Sequence, residues 1–212
     1  MVKRILLYIE GGRSQSKDVQ MRKGFSTFFG DLKKMADERG ISLRCITFQA
    51  RRHAYEKFCY GLGQDPDAFH VLLVDSEAPV KEFGKCWKHL KERPGDEWDC
   101  PPGATEENCH FMAQAVEAWF FADPDALRSY YKQGFNKTAL GSRNNVEDIP
   151  KSEHIPELEA ATKATQKGRY DKTDHAPDLL AAVDPVKVRQ RAPHCERIFT
   201  TIADKMGGSD GS

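Results

Sequence analysis

The sequence predicts an α/β protein: a mainly parallel sheet flanked by helices, with a helical C-terminal extension. Three observations point there. Two nearly continuous apolar runs, "ILLYI" at residues 5–9 and "FHVLLV" at 69–74, suit strands covered on both faces. Between them the apolar spacing lengthens to that of amphipathic helices. From residue 153 onward the pattern is helical, with proline near the element boundaries.

Taken in order, residues 3–9 read as a first strand that runs into Glu10 and the pair Gly11-Gly12. From 17 to 39, Val19, Met21, Phe25, Phe28, Phe29, Leu32 and Met35 recur at helical spacing, and Gly40 supplies the stop. "ISLRCITF" (41–48) alternates as a strand, residues 51–62 form a helix, and "AFHVLLVDSE" (68–77) is a buried strand ending in acids. This β-α-β-α-β order calls for parallel strands joined by crossover helices. Residues 79–108, rich in Gly, Pro and charge, read as a connecting insertion with a modest helix around 81–91. "CHFMAQAVEAWFFADPDALRSYY" gives a short apolar segment and then helical periodicity, with Asp123-Pro124 as a helix start. Residues 136–150 are loop-like, and helices follow at 153–167, 174–184 and 185–206. The resulting organisation is an α/β core at 1–130, a helical and locally basic extension at 131–206, and a flexible tail at 207–212.

Composition narrows the function. With 32 basic and 32 acidic side chains, no global field advertises a polyanion partner. A nucleic-acid site has to arise from local charge separation, or be completed by a partner or a second copy of the chain. No apolar run reaches the roughly 20 residues that span a bilayer, and the N-terminal run is short, interrupted by Glu10 and without a small-residue cleavage pattern, so a first core strand is expected there rather than a signal peptide. Six scattered cysteines read as reduced thiols of a cytoplasmic protein. Cys86, His89, Cys100, Cys109 and His110 lack the knuckle spacing of a structural zinc site.

The chemistry lies at the strand ends. In a parallel sheet, function gathers at the carboxyl ends of the strands. If the first and third strands are neighbours, Glu10, Asp75 and Glu77 converge. Three uncompensated carboxylates raise one another's pKa, and a divalent cation such as Mg²⁺ or Mn²⁺ relieves them. Glu117 sits among Ala115, Val116, Trp119, Phe120 and Phe121, where a carboxylate is costly without a partner. Arg51 and Arg52 open a helix on the same rim and are candidates for substrate phosphate. "KGRYDKTDH" gathers Lys167, Arg169, Tyr170, Lys172 and His175. There, cations suit phosphates, Tyr170 suits a base, and Lys172 suits developing charge. From 163 to 197, eight basic side chains face five acidic ones. No Asp ends the first strand and no glycine-rich phosphate loop is complete, which disfavours a small phosphate-ester hydrolase.

Glu-Gly after the first strand, with a later acidic pair, resembles the Toprim domain of topoisomerases, primases and overcoming-lysogenization-type nucleases. The pair is D-x-E here and D-x-D in the usual Toprim pattern. The segments "YIEGGRSQSKDVQMRKGF", "LLVDSEAPV", "VEAWFFADPDAL", "KGRYDKTDHAPDLLAAVDPVKVR" and "APHCERIF" resemble a Toprim-like (Rossmann-like) bacterial domain-of-unknown-function family, DUF4276-type, across nearly the whole chain. The resemblance implies Glu10, Asp75 and Glu77 as metal and catalytic acids and Glu117 as a further glutamate near the metal. It also implies a metal-dependent nuclease acting on RNA such as tRNA or on DNA, the effector of an anti-phage defence system with an SMC- or ABC-like ATPase partner. The rival expectation is an inactive Toprim-like adaptor that binds that ATPase.

Overall fold

A computed structural model of the chain describes residues 2–11 and 15–207; Gly12 and residues 208–212 of the predicted tail lie outside the described residues. Strands β1 (Arg4–Glu10), β2 (Ser42–Phe48), β3 (Phe69–Asp75) and β4 (Cys109–Met112) form one all-parallel sheet in the order β2-β1-β3-β4. β1 and β3 are neighbours, as the convergence of their acids requires, with Ile5 opposite Phe69 and Ile9 opposite Leu73. The architecture is α/β, a parallel sheet flanked by helices, consistent with a Rossmann- or Toprim-like fold.

Alternation along the strands splits the core into two layers. Ile5, Leu7 and Ile9 of β1, Val71 and Leu73 of β3 and Met112 of β4 enter one cluster with Phe25, Phe28, Phe29, Trp119, Leu180 and Phe199. Tyr8, Leu72, Val74 and Phe111 face the other way, against Phe58, Trp87 and Leu90. The first cluster draws residues from both sides of position 130.

The helices are α1 (Gln15–Phe28), α2 (Gly30–Glu38), α3 (Arg51–Gln64), α4 (Cys86–Glu92) and α5 (Glu117–Phe120). They continue with α6 (Pro124–Tyr131), α7 (Lys151–Thr162), α8 (Lys172–Ala182), α9 (Pro185–Arg191) and α10 (Pro193–Lys205). Three differences from the sequence reading have physical causes. The single helix expected over 17–39 is two, because the chain bends at Phe29 (φ −88°, ψ 21°) while the apolar spacing continues through the bend. The helix expected over 185–206 is divided at Ala192-Pro193, where proline holds Ala192 extended (φ −136°, ψ 91°). β4 is a strand of only four residues whose apolar run merges with the helical pattern that follows, so neither period stands out. Asp123 caps α6 as expected, its Oδ1 accepting from the Ala126 N–H at 3.3 Å. Among the described residues no helix is long and apolar enough to cross a membrane.

α8 packs along α1, and Gly24 permits the approach: a Cβ there would lie 2.7 Å from the Pro177 carbonyl oxygen. In an isolated helix Ala is favoured over Gly by about 1 kcal/mol. Here Gly24→Ala is expected to destabilise the protein by about 1–3 kcal/mol through overpacking, read by urea unfolding. A gain in stability would contradict the close α1–α8 seam.

Candidate metal centre

The chain leaves β1 for β2 on one side and returns for β3 and β4 on the other, so the topology switches between β1 and β3. Open α/β sheets bind ligands at such a switch, outside the carboxyl ends of the strands. Glu10 and Asp75 are the last residues of β1 and β3, and Glu77 lies two residues further on. One carboxylate oxygen from each lies within 4.8 Å of the others, the one such group of His, Cys, Asp and Glu ligand atoms among the described residues.

Backbone contacts fix the cluster. The Asp75 N–H donates to Glu10 Oε2 (3.2 Å), and Asp75 Oδ1 accepts from the Val116 N–H (3.1 Å). Glu77 enters through a left-handed turn (φ 66°), and its N–H donates to the Gln114 carbonyl at 3.0 Å. Strand alternation therefore does not aim Glu77; the turn does. Gln114 is itself left-handed (φ 59°), and its side chain joins the turn to Glu147 and to the Lys151 N–H at the start of α7. Strained backbone of this kind persists where the surroundings over-determine it, often at functional sites.

Three cations face four acids. Arg51 lies 3.5 Å from Glu10 and 3.6 Å from Glu77, and it donates to the Asp75 carbonyl at 3.0 Å. As the first residue of α3 it opposes the helix dipole; buried Asp96 compensates at 2.6 Å. Lys151 ion-pairs with Glu77. Lys172, the first residue of α8, lies 3.0 Å from Glu117 and 3.8 Å from Asp75. Glu117 is fully buried and also accepts from the Tyr170 hydroxyl at 3.2 Å, which supplies the partners its apolar setting demands. A cavity of about 280 Å³ opens over Glu10, Asp75, Glu77, Lys151 and Lys172.

The electrostatics reflect this crowding. Burial, then Glu10 and Glu117, push Asp75 up to about 8 against the pull of Lys172. Burial raises Glu10 as well, although Arg51 opposes it. Burial acts in the same direction on Glu77, but the Lys151 hydrogen bond and charge, with Arg51 and Arg93, bring it below its ordinary value. Burial opposes the charge on Lys172, yet Asp75 and Glu117 outweigh it and raise its pKa.

The remaining predicted residues do not line the cavity. Arg52 and Lys167 are exposed, Lys167 over the Tyr130 ring, and Arg169 is exposed beside Glu159. Tyr170 is buried, so its ring is closed to a stacking base and its hydroxyl supports Glu117. His175 bonds to the Tyr131 hydroxyl and the Asp171 N–H, and burial lowers its pKa. Lys151, Gln114 and Asp96 have no signal in the sequence; tertiary packing alone brings them in. His110 is buried between the Glu107 carbonyl and Arg197, its pKa pushed down to about 3 by burial and by that arginine.

The donor set is oxygen only, which suits a hard divalent cation, and the raised Asp75 and Glu10 mark the negative charge that such a cation would relieve. Fold and site together define a parallel α/β protein with a carboxylate cluster at its switch point. The chain belongs to the family described as "Domain of unknown function (DUF4276)", whose model matches residues 15–203. No curated protein and no solved structure gives a significant match.

The Asp75 shift has a stability consequence. Because the folded pKa lies above the unfolded one, the cost of ionised Asp75 is absent below about pH 4 and accrues as pH rises towards about 8. Asp75→Asn is therefore expected to melt higher than the parent at pH 8 and alike at pH 4, in thermal denaturation without metal. Equal melting temperatures at both pH values would contradict the buried, crowded carboxylate.

Proposed function

We propose that the chain is a Mg²⁺- or Mn²⁺-dependent nuclease that hydrolyses phosphodiesters in RNA, such as tRNA, or in DNA. The observation that carries this reading is the meeting of Glu10, Asp75 and Glu77 within 4.8 Å, with Lys172 on the same cavity wall. Those three carboxylates would hold the ion. When bound, it supplies a Lewis acid for a phosphoryl oxygen and lowers the pKa of a water. Lys172, fixed by Glu117, presents a positive charge where a phosphoryl oxygen gathers charge. Arg51 restrains Glu10 and Glu77, and Asp96 restrains Arg51.

The family resemblance supports the wider setting: the effector of a cytoplasmic anti-phage system that works with an SMC- or ABC-like ATPase. A second reading, an inactive adaptor for that ATPase, is favoured by one observation. Arg51 and Lys151 already ion-pair with Glu10 and Glu77, so the cluster is partly neutralised without metal.

Purified protein, with Mn²⁺ and a panel of labelled RNA and DNA, separates the two. The nuclease reading expects cleavage that Glu10→Gln, Asp75→Asn and Glu77→Gln each abolish. Lys172→Ala is expected to lower kcat by about 10²–10³ while Mn²⁺ still binds. Full activity in a carboxylate variant would overturn the site; absence of Mn²⁺ stabilisation in a thermal melt would select the adaptor.

A further inference from the structure

The basic C-terminal segment, the expected grip on nucleic acid, has five of its eight cations hydrogen-bonded to other groups of the chain. Lys172 is held by Glu117, Lys187 by Asp123 (2.7 Å) and Arg189 by Glu196 (2.6 Å). Arg191 donates to the Phe121 and Ala122 carbonyls at 3.0 Å each, and Arg197 to the Cys109 carbonyl at 2.8 Å. Apart from Lys172 at the cavity, these cations are already committed to partners within the chain.

The segment that leaves Glu77 offers a surface. Residues 79–94 carry five basic and two acidic side chains, an excess of three. Lys88 is paired with Glu82 and Glu92, whereas Lys81 and Lys85 are exposed and form no ion pair among the described residues. A groove of about 180 Å³ runs past Lys81, Lys85 and Arg93. Arg93 shares Asp96 with Arg51, and its charge also acts on Glu77. Groove and carboxylate cluster therefore meet at Arg93. His89, on the groove wall, reaches back to the Ser76 carbonyl at 2.8 Å and fixes the groove to the end of β3.

One aromatic ring stands out of this strip. Phe83 is 59% exposed, the most exposed phenylalanine on the described surface. Its ring lies 5.0 Å from that of His194, which Glu147 holds at 2.6 Å, so one side is backed and the rest faces solvent. Cations that track a backbone beside an exposed ring are the elements of single-strand recognition, because stacking needs an unpaired base.

We propose that single-stranded nucleic acid enters the site along this strip, with phosphates on Lys81, Lys85 and Arg93 and one base on Phe83. The proposal rests on the nuclease reading and names the strand that the site would receive.

Fluorescence anisotropy with labelled single-stranded RNA and DNA 12-mers, in EDTA so that nothing is cut, tests it. Lys81→Ala with Lys85→Ala is expected to weaken binding at least tenfold and to make the log–log salt slope shallower by about 1.4, roughly 0.7 for each phosphate no longer neutralised. Phe83→Ala is expected to weaken binding about 5- to 150-fold with the slope unchanged. Lys81→Arg with Lys85→Arg is expected to retain binding. Lys3→Ala with Lys34→Ala makes the same change in net charge away from the strip and is expected to bind like the parent.

Parental affinity in both strip variants would overturn the proposal, as would equal losses in the Lys3/Lys34 control. Mn²⁺ calorimetry is the independent arm. A protein that binds Mn²⁺ but no strand overturns this proposal and leaves the metal centre standing. One that binds strands through the strip but takes up no Mn²⁺ overturns the nuclease reading alone.

Discussion

The structure turns on holding several carboxylates together at the end of a buried sheet. Charge taken out of water is expensive, and like charges brought close multiply the cost. Asp75 is almost fully buried, with Glu10 and Glu117 as neighbours. Around it Arg51, Lys151 and Lys172 arrive from three different helices, each as the first residue of its helix. Cations at helix starts are unfavourable by themselves. Their recurrence at one point follows from the acids they meet.

That balance explains why the helices after residue 130 pack where they do. Lys172 reaches Glu117 and Asp75 because α8 lies along α1, and the seam depends on Gly24 having no side chain. Lys151 reaches Glu77 because Gln114, held left-handed after β4, binds the start of α7. The second layer, α3 with Asp96 behind it, supplies Arg51. The cluster is thus assembled from both faces of the sheet and from both halves of the chain.

Much of this is legible in the sequence, and what is not has definite causes. Continuous apolar runs mark β1 and β3, and their neighbourhood makes Glu10 and Asp75 meet. Glu117 stands out as a carboxylate in an apolar stretch, and it has the partners such a residue needs. Glu77 follows Asp75 at the D-x-E spacing, but a left-handed turn directs it, and no residue-level signal for φ above zero attends a glutamate. Charge counting over 163–197 suggests a phosphate surface, but counting cannot tell an exposed arginine from one bound to carbonyls, as Arg191 and Arg197 are. Lys151 is an ordinary helix-start lysine until the fold sets it beside Glu77.

The nuclease reading depends on Glu10, Asp75 and Glu77 forming a divalent-cation site. A crystal of the protein soaked with Mn²⁺, with anomalous data collected near the manganese edge, puts that site to the test. One strong anomalous peak is expected among the three carboxylates, with Lys151 drawn off Glu77. A cluster without a peak, with Lys151 and Arg51 still paired to Glu77 and Glu10 at saturating Mn²⁺, would contradict it.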